Sequence, residues 1–210
     1  MKFSLPSLAA LALLAAVSPA HAGLTFDFQD EGHNVALAST ATFLAKAGTA
    51  YDSTYQVAAS GTADLYAKFR GGDENGLGLT NDPSTNHEIT AGNHIDFNFS
   101  ALKSKFAITS IDFNLGSVTS PDKYEIDGVG VCGGTTLLGT GTSDGLFHIT
   151  SADVAAYDTF RVAGLAGNVL VDTITVNGSV PEPASLAMTA LGLGAALVAG
   201  RSRRRKAAKA

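Results

Sequence analysis

Three stretches of this chain alternate apolar and polar residues without a break. Leu24, Phe26 and Phe28 alternate with Thr25 and Asp27; Ile95, Phe97 and Phe99 with His94, Asp96 and Asn98; Ile111, Phe113 and Leu115 with Asp112 and Asn114. Successive side chains of a strand point to opposite faces, so a period of two means a sheet with one dry face. Further strands are expected at 38–44, 63–69, 123–129, 146–150, 159–162 and 169–176. Clusters of Gly, Asn and Asp at 71–76, 81–86, 91–93, 116–122 and 140–145 separate them as turns. Only 151–157 reads as helical, with Ser151 as N-cap and Asp153 in the first turn. About nine short strands with almost no helix predict an all-β domain, a two-sheet sandwich of jelly-roll type, with a barrel as the alternative. No internal repeat points to a propeller or solenoid.

The two ends of the chain have a different character. Lys2, the apolar run Leu8 to Val17 and the small-x-small triplet Ala20-His21-Ala22 predict a signal peptide over 1–22, with the mature chain starting at Gly23. At the other end, Pro181, Glu182 and Pro183 precede an uncharged segment from Ala184 to Gly200. As a helix those residues would reach roughly 25 Å, the short end of what crosses a bilayer. Arg201, Arg203, Arg204, Arg205 and Lys206 follow, and Lys209 after them. So many cations resist translocation, which leaves this end cytoplasmic and the middle of the chain outside.

Pro-Glu-Pro, a short apolar helix and a basic terminus, in that order, resemble the PEP-CTERM sorting signal of Gram-negative, exopolysaccharide-producing bacteria. The resemblance covers 180–209 and says nothing about the fold or ligand of the domain upstream. It implies that exosortase, a membrane-embedded cysteine transpeptidase, recognises Pro181, Glu182 and Pro183 and removes the helix with its basic tail. The implied course is an inner-membrane-anchored precursor, held transiently by its helix, then delivery to the cell surface or extracellular matrix. Signal peptidase and exosortase are the implied processing partners, and exopolysaccharide or biofilm the setting.

The intervening domain, 23–179, is one domain's worth of chain. Of 14 basic residues Lys2 and six in the tail lie outside it, leaving seven; of 19 acidic residues only Glu182 does, leaving 18, for a net charge near −11. Such a balance argues against nucleic acid and anionic membranes. The only cysteine, Cys132, rules out an intramolecular disulfide; it is expected as a small buried hydrophobe.

The densest polar run, Gly71 to Asp96, offers oxygen donors for calcium, with Asp73, Asn75, Asp82 and Glu88 as the ligand set. Turn chemistry explains the same residues without a metal. A zinc reading would use His87, Glu88 and His94, at a spacing that fits no helical two-histidine motif; His33 and His148 stand isolated. Gly141-Thr142-Ser143-Asp144-Gly145 has the Gly-x-Ser-x-Gly spacing but falls in an expected turn before a strand, not at a strand-to-helix nucleophile elbow; no carboxylate pair stands out among so many acids, and there is no Trp for sugar stacking. The expectation is a non-enzymatic surface or matrix protein, with a calcium-dependent carbohydrate-binding module as the alternative.

Overall fold

The computed structural model describes residues 21–29, 34–47, 50–71, 74–83 and 85–180. The expected signal peptide, apart from its last two residues, lies outside this set, as do Asp73, His33, Pro181, Glu182, Pro183, the apolar segment and the basic tail. Strand accounts for 63% and helix for 7%, so the domain is all-β and mostly antiparallel.

Fourteen strands run in chain order among the described residues: β1 (His21–Asp27), β2 (Val35–Ala36), β3 (Thr40–Ala47), β4 (Ala50–Gly61), β5 (Leu65–Phe69), β6 (Asn75–Leu79), β7 (Ile89–Thr90), β8 (His94–Asn98), β9 (Ala107–Gly116), β10 (Lys123–Val129), β11 (Thr135–Gly141), β12 (Gly145–Ile149), β13 (Thr159–Ala166) and β14 (Asn168–Ser179). A short α1 (Ser100–Lys103) follows β8, and α2 (Ser151–Ala156) follows β12. The strands join one hydrogen-bonded network rather than two separate sheets. One half runs β11-β10-β13-β8-β4-β3 and the other is built on β14, flanked by β1 and β9, with β12 beyond β9. β3 and β1 join the halves through the single register pair Thr25↔Lys46.

The core lies where the inward faces of these halves meet. Phe97 of β8 packs against Phe113 of β9 with ring centroids 5.6 Å apart, although the two strands share no register. Phe28, just after β1, meets Phe43 of β3 edge-on at 4.8 Å and Phe97 at 5.7 Å. All four rings are buried, each contributing about 1.5–3 kcal/mol relative to exposure. These are mostly the residues whose alternation is visible in the sequence, so the period-two pattern builds the core directly.

Other elements follow different causes. β4 pairs with both β3 and β8, yet only its second half buries Val57 and Ala59; hydrogen bonding holds a strand that has little apolar phase. β11 is an edge strand with largely exposed residues, so no dry face announces it. Asn75 and Gly76, expected in a turn, open β6 instead. A Cβ at Gly76 would come within 2.7 Å of the Val171 carbonyl of β14, and its φ is +143°, so this close strand approach needs glycine.

Two local expectations are corrected. The N-cap of α2 is Thr150, one residue before Ser151: extended at Thr150, the backbone lets its hydroxyl accept from the Asp153 N–H, while the Asp153 carboxylate accepts from the Thr150 N–H, a capping box. Cys132 is exposed rather than buried. It sits at the tip of the β10–β11 connection, where Gly133 N–H donates to Gly130 O and Gly130 N–H to Gly134 O, a tight turn that projects its residues outward.

Candidate functional site

β10, β13 and β8 lie side by side, and their alternation sends Ile126, Phe160, Val162, Ile95 and Phe97 into the core. The opposite phase presents Glu125 and Asp127, Arg161 and Ala163, His94 and Asp96 outward. Register then assembles them into rows. Asp127 pairs with Arg161 and Arg161 with Asp96; in the adjoining row Glu125 pairs with Ala163 and Ala163 with His94. Because Ala163 is short and Gly164 follows it, the second row has a gap between Glu125 and His94, and a cleft of about 280 Å³ opens there.

The rim is held in place by backbone contacts. Gly92 N–H donates to Gly164 O and Gly164 N–H to Asn93 O, at 3.1 and 3.0 Å, clipping the turn before β8 onto β13. A Cβ on Gly164 would stand 2.6 Å from the Thr90 carbonyl, so the clip depends on that glycine. The Asn93 side chain is committed to the rim: its Oδ1 accepts from Thr62 Oγ1 and Asn81 Nδ2, and its Nδ2 donates to Thr90 Oγ1. Thr135 and Leu165 complete the lining.

Electrostatics divide the cleft into a satisfied part and an unsatisfied part. Arg161 donates from Nε to Asp96 Oδ1 at 2.7 Å and from Nη2 to Oδ2 at 2.9 Å, the bidentate geometry that makes such pairs strong. Those bonds push the Arg161 pKa above its ordinary value. Asp127 is only 6% exposed, and among the described residues neither it nor Glu125 accepts a hydrogen bond. Burial pushes the Asp127 carboxyl above the usual range, opposed by Arg161 and reinforced by Asp96; burial and then Asp127 push Glu125 up. Burial, followed by the nearby Arg161 cation, lowers the pKa of His94, whose Nε2 lies 4.0 Å from Asp96 Oδ2. With Asp96 and Arg161 cancelling, the cleft carries the excess negative charge of Glu125 and Asp127.

Of the residues expected to hold calcium, Asp73 lies outside the described residues, and Asn75, Asp82 and Glu88 lie away from this cleft and have other partners. Asn75 Oδ1 accepts from the backbone N–H groups of Arg70 and Gly71, at 2.9 and 2.8 Å, closing the β5–β6 connection. Asp82 Oδ2 accepts from Glu88 N–H at 3.2 Å. Glu88 Oε1 accepts from Lys68 Nζ and, at 2.8 Å, from Ser117 Oγ. Lys68 also donates to Glu74, whose pKa is lowered chiefly by that bond. Among the described residues, no three His, Cys, Asp or Glu side chains are grouped so as to hold a metal ion. The zinc trio is divided likewise: His87 stacks on Tyr66 at 3.8 Å, Glu88 binds Lys68 and His94 lines the cleft. His148 is not isolated, since its Nδ1 lies 2.6 Å from Asp112 Oδ1 across the β9–β12 pair.

Sequence reasoning therefore marked His94 and Asp96 but missed Glu125, Asp127 and Arg161. A signal was present: Glu125 and Asp127 occupy one phase of β10, alternating with Tyr124 and Ile126. Which strand would lie beside them was not visible.

Fold and cleft together define an all-β domain with a polar, net-acidic recess on the outer face of its sheet. A family model described as the PEP-CTERM protein-sorting motif matches residues 179–205, so the chain carries that sorting motif there. The motif marks a secreted protein targeted to exosortase for sorting, with a membrane-anchored precursor that passes to the surface. It begins at Ser179, the last residue of β14. No curated protein and no solved structure matches the chain.

Proposed function

We propose that the chain is a non-enzymatic component of a Gram-negative cell-surface or extracellular-matrix layer, associated with exopolysaccharide or biofilm. In this reading signal peptidase removes 1–22 and the helix at 184–200 holds the precursor in the inner membrane. Exosortase then acts at Pro181, Glu182 and Pro183, releasing the β domain of 23–179 from its tail. The observation that carries the reading is the sorting motif matched at 179–205. The register of β1 is compatible with N-terminal processing: a chain starting at Gly23 keeps the pairs from Gly23↔Asn177 to Asp27↔Thr173, so β1 stays zipped to β14.

Binding fits the cleft better than catalysis. Glycoside hydrolysis needs two carboxyl groups flanking the scissile bond. Glu125 and Asp127 stand two residues apart on one strand, hence on the same wall, and Asp96 on the far side is neutralised by Arg161.

The sorting step is tested by replacing Pro181 and Pro183 with Ala in a host that carries exosortase. Fractionation should show the variant retained in the inner membrane at precursor size while the parent chain is shortened and delivered. Equal processing of the two chains would refute the assignment of the cut to this motif.

A further inference from the structure

Asp127 poses a physical problem that the fold leaves unsolved. Its carboxylate oxygens are not sealed off but open on the cleft, so with no protein donor they are left to water or to a ligand that enters there. Its cross-strand neighbour Arg161 is the nearest candidate, yet that guanidinium is aligned bidentately on Asp96. Glu125, two residues along the same wall, is without donors as well. Both line the recess beside Ala163 and Gly164.

We propose that this cleft binds the primary ammonium group of an amino sugar, with Asp127 and Glu125 as its counter-charges. An ammonium is a compact cation with three donors and no acceptor. It can therefore serve two carboxylates spaced by one strand repeat, about 6.6 Å along β10. A calcium ion needs six to eight oxygens around it, whereas these carboxylates occupy one wall and the Arg161 cation stands beside them. A polyamine would bring a second positive charge toward Arg161. A sugar ring brings hydroxyls instead, and the cleft has partners for them in Thr135 and in the Arg161 N–H groups not used by Asp96. Leu165 at the edge, 45% exposed, offers an apolar surface for the C–H face of the ring. The volume of about 280 Å³ is at the lower limit of small-molecule sites, suited to one ring rather than a long oligosaccharide. His94, with its pKa lowered by burial, adds little positive charge to oppose the ligand.

The proposal deepens the matrix reading and rests on it for the choice of polymer, but its test does not depend on sorting. Full-length protein in detergent micelles is titrated by calorimetry with protonated D-glucosamine, N-acetylglucosamine, putrescine and calcium chloride. Glucosamine should bind at least about tenfold more tightly than N-acetylglucosamine or putrescine, a difference near 1.4 kcal/mol. Asp127→Asn and Glu125→Gln should each weaken it by about tenfold while calcium gives no heat that either substitution removes. Should one variant fail to fold, the other carries the comparison. Absence of glucosamine binding, equal binding of N-acetylglucosamine or putrescine, or calcium binding that either substitution abolishes would overturn the proposal. Loss of C-terminal processing with binding intact would fault the sorting reading alone.

Discussion

Two groups of charged residues, each a single basic side chain among carboxylates, have opposite fates in this domain. In the first, Lys68 and Glu88 are both 1% exposed, and Lys68 is bound by Glu88 and Glu74 while the Ser117 hydroxyl lies within hydrogen-bond distance of both carboxylates, nearer to Glu88. In the second, Arg161 is spent on Asp96, and Asp127 and Glu125 face the cleft without donors. The first is closed and its work is internal, tying β5 to the segments before β6, before β7 and after β9. The second is open and has capacity left for a ligand. Charge density alone does not separate them; hydrogen-bond satisfaction does.

Removing the cation from each group should separate them energetically. Lys68→Met leaves Glu88 buried with only Ser117 as a side-chain donor and should destabilise the domain by about 3–5 kcal/mol, read from urea unfolding; a loss below about 1 kcal/mol would mean the closed group is not structural. Arg161→Met breaks both bonds to Asp96, but the pair is roughly a fifth exposed and water can replace part of the loss. About 2 kcal/mol is expected, and a cost equal to that of Lys68→Met would erase the distinction.

The smallest effect tests the open group most finely. Asp127→Asn removes a charge that has no donor and should leave stability unchanged or raise it by up to about 1 kcal/mol. The sign with pH follows from the raised pKa of Asp127. The native state then binds the proton more tightly than the unfolded chain does, so ionisation weakens the parent as pH rises from the ordinary value of 3.8 through the raised one. The advantage of the Asn variant should thus open across that window and stay constant above it. Glu74, with a lowered pKa, works the other way: its contribution is present above the ordinary carboxylate range and is lost as pH falls through the native value. If the Asn variant gained ground on acidification, Asp127 would have a donor that the structure does not show.

The sequence made the core legible and the cleft only in part, for physical reasons. Phe26, Phe97 and Phe113 declare themselves because burial and strand phase are local properties of the chain. β4 and β11 were hidden because neighbouring strands, not their own side chains, hold them. The polar run from 71 to 96 looked like one site, yet β8 carries His94 and Asp96 to the outer face while Asp82 and Glu88 bond within the domain. Asp127 and Arg161 became partners only through register between β10 and β13, which no local pattern encodes. Cys132 was misjudged because a five-residue turn containing three glycines displays its tip. The tail was the opposite case: its order of elements is local, so its family was readable without a fold.

The central claim is that an exported β domain ends where a removable sorting signal begins, and mass spectrometry of both termini of the native protein tests it most directly. The account predicts a chain that starts at Gly23 and lacks every peptide beyond the Pro181-Glu182-Pro183 region. Surface or medium fractions containing protein that extends through Arg205 and Lys209 would contradict it.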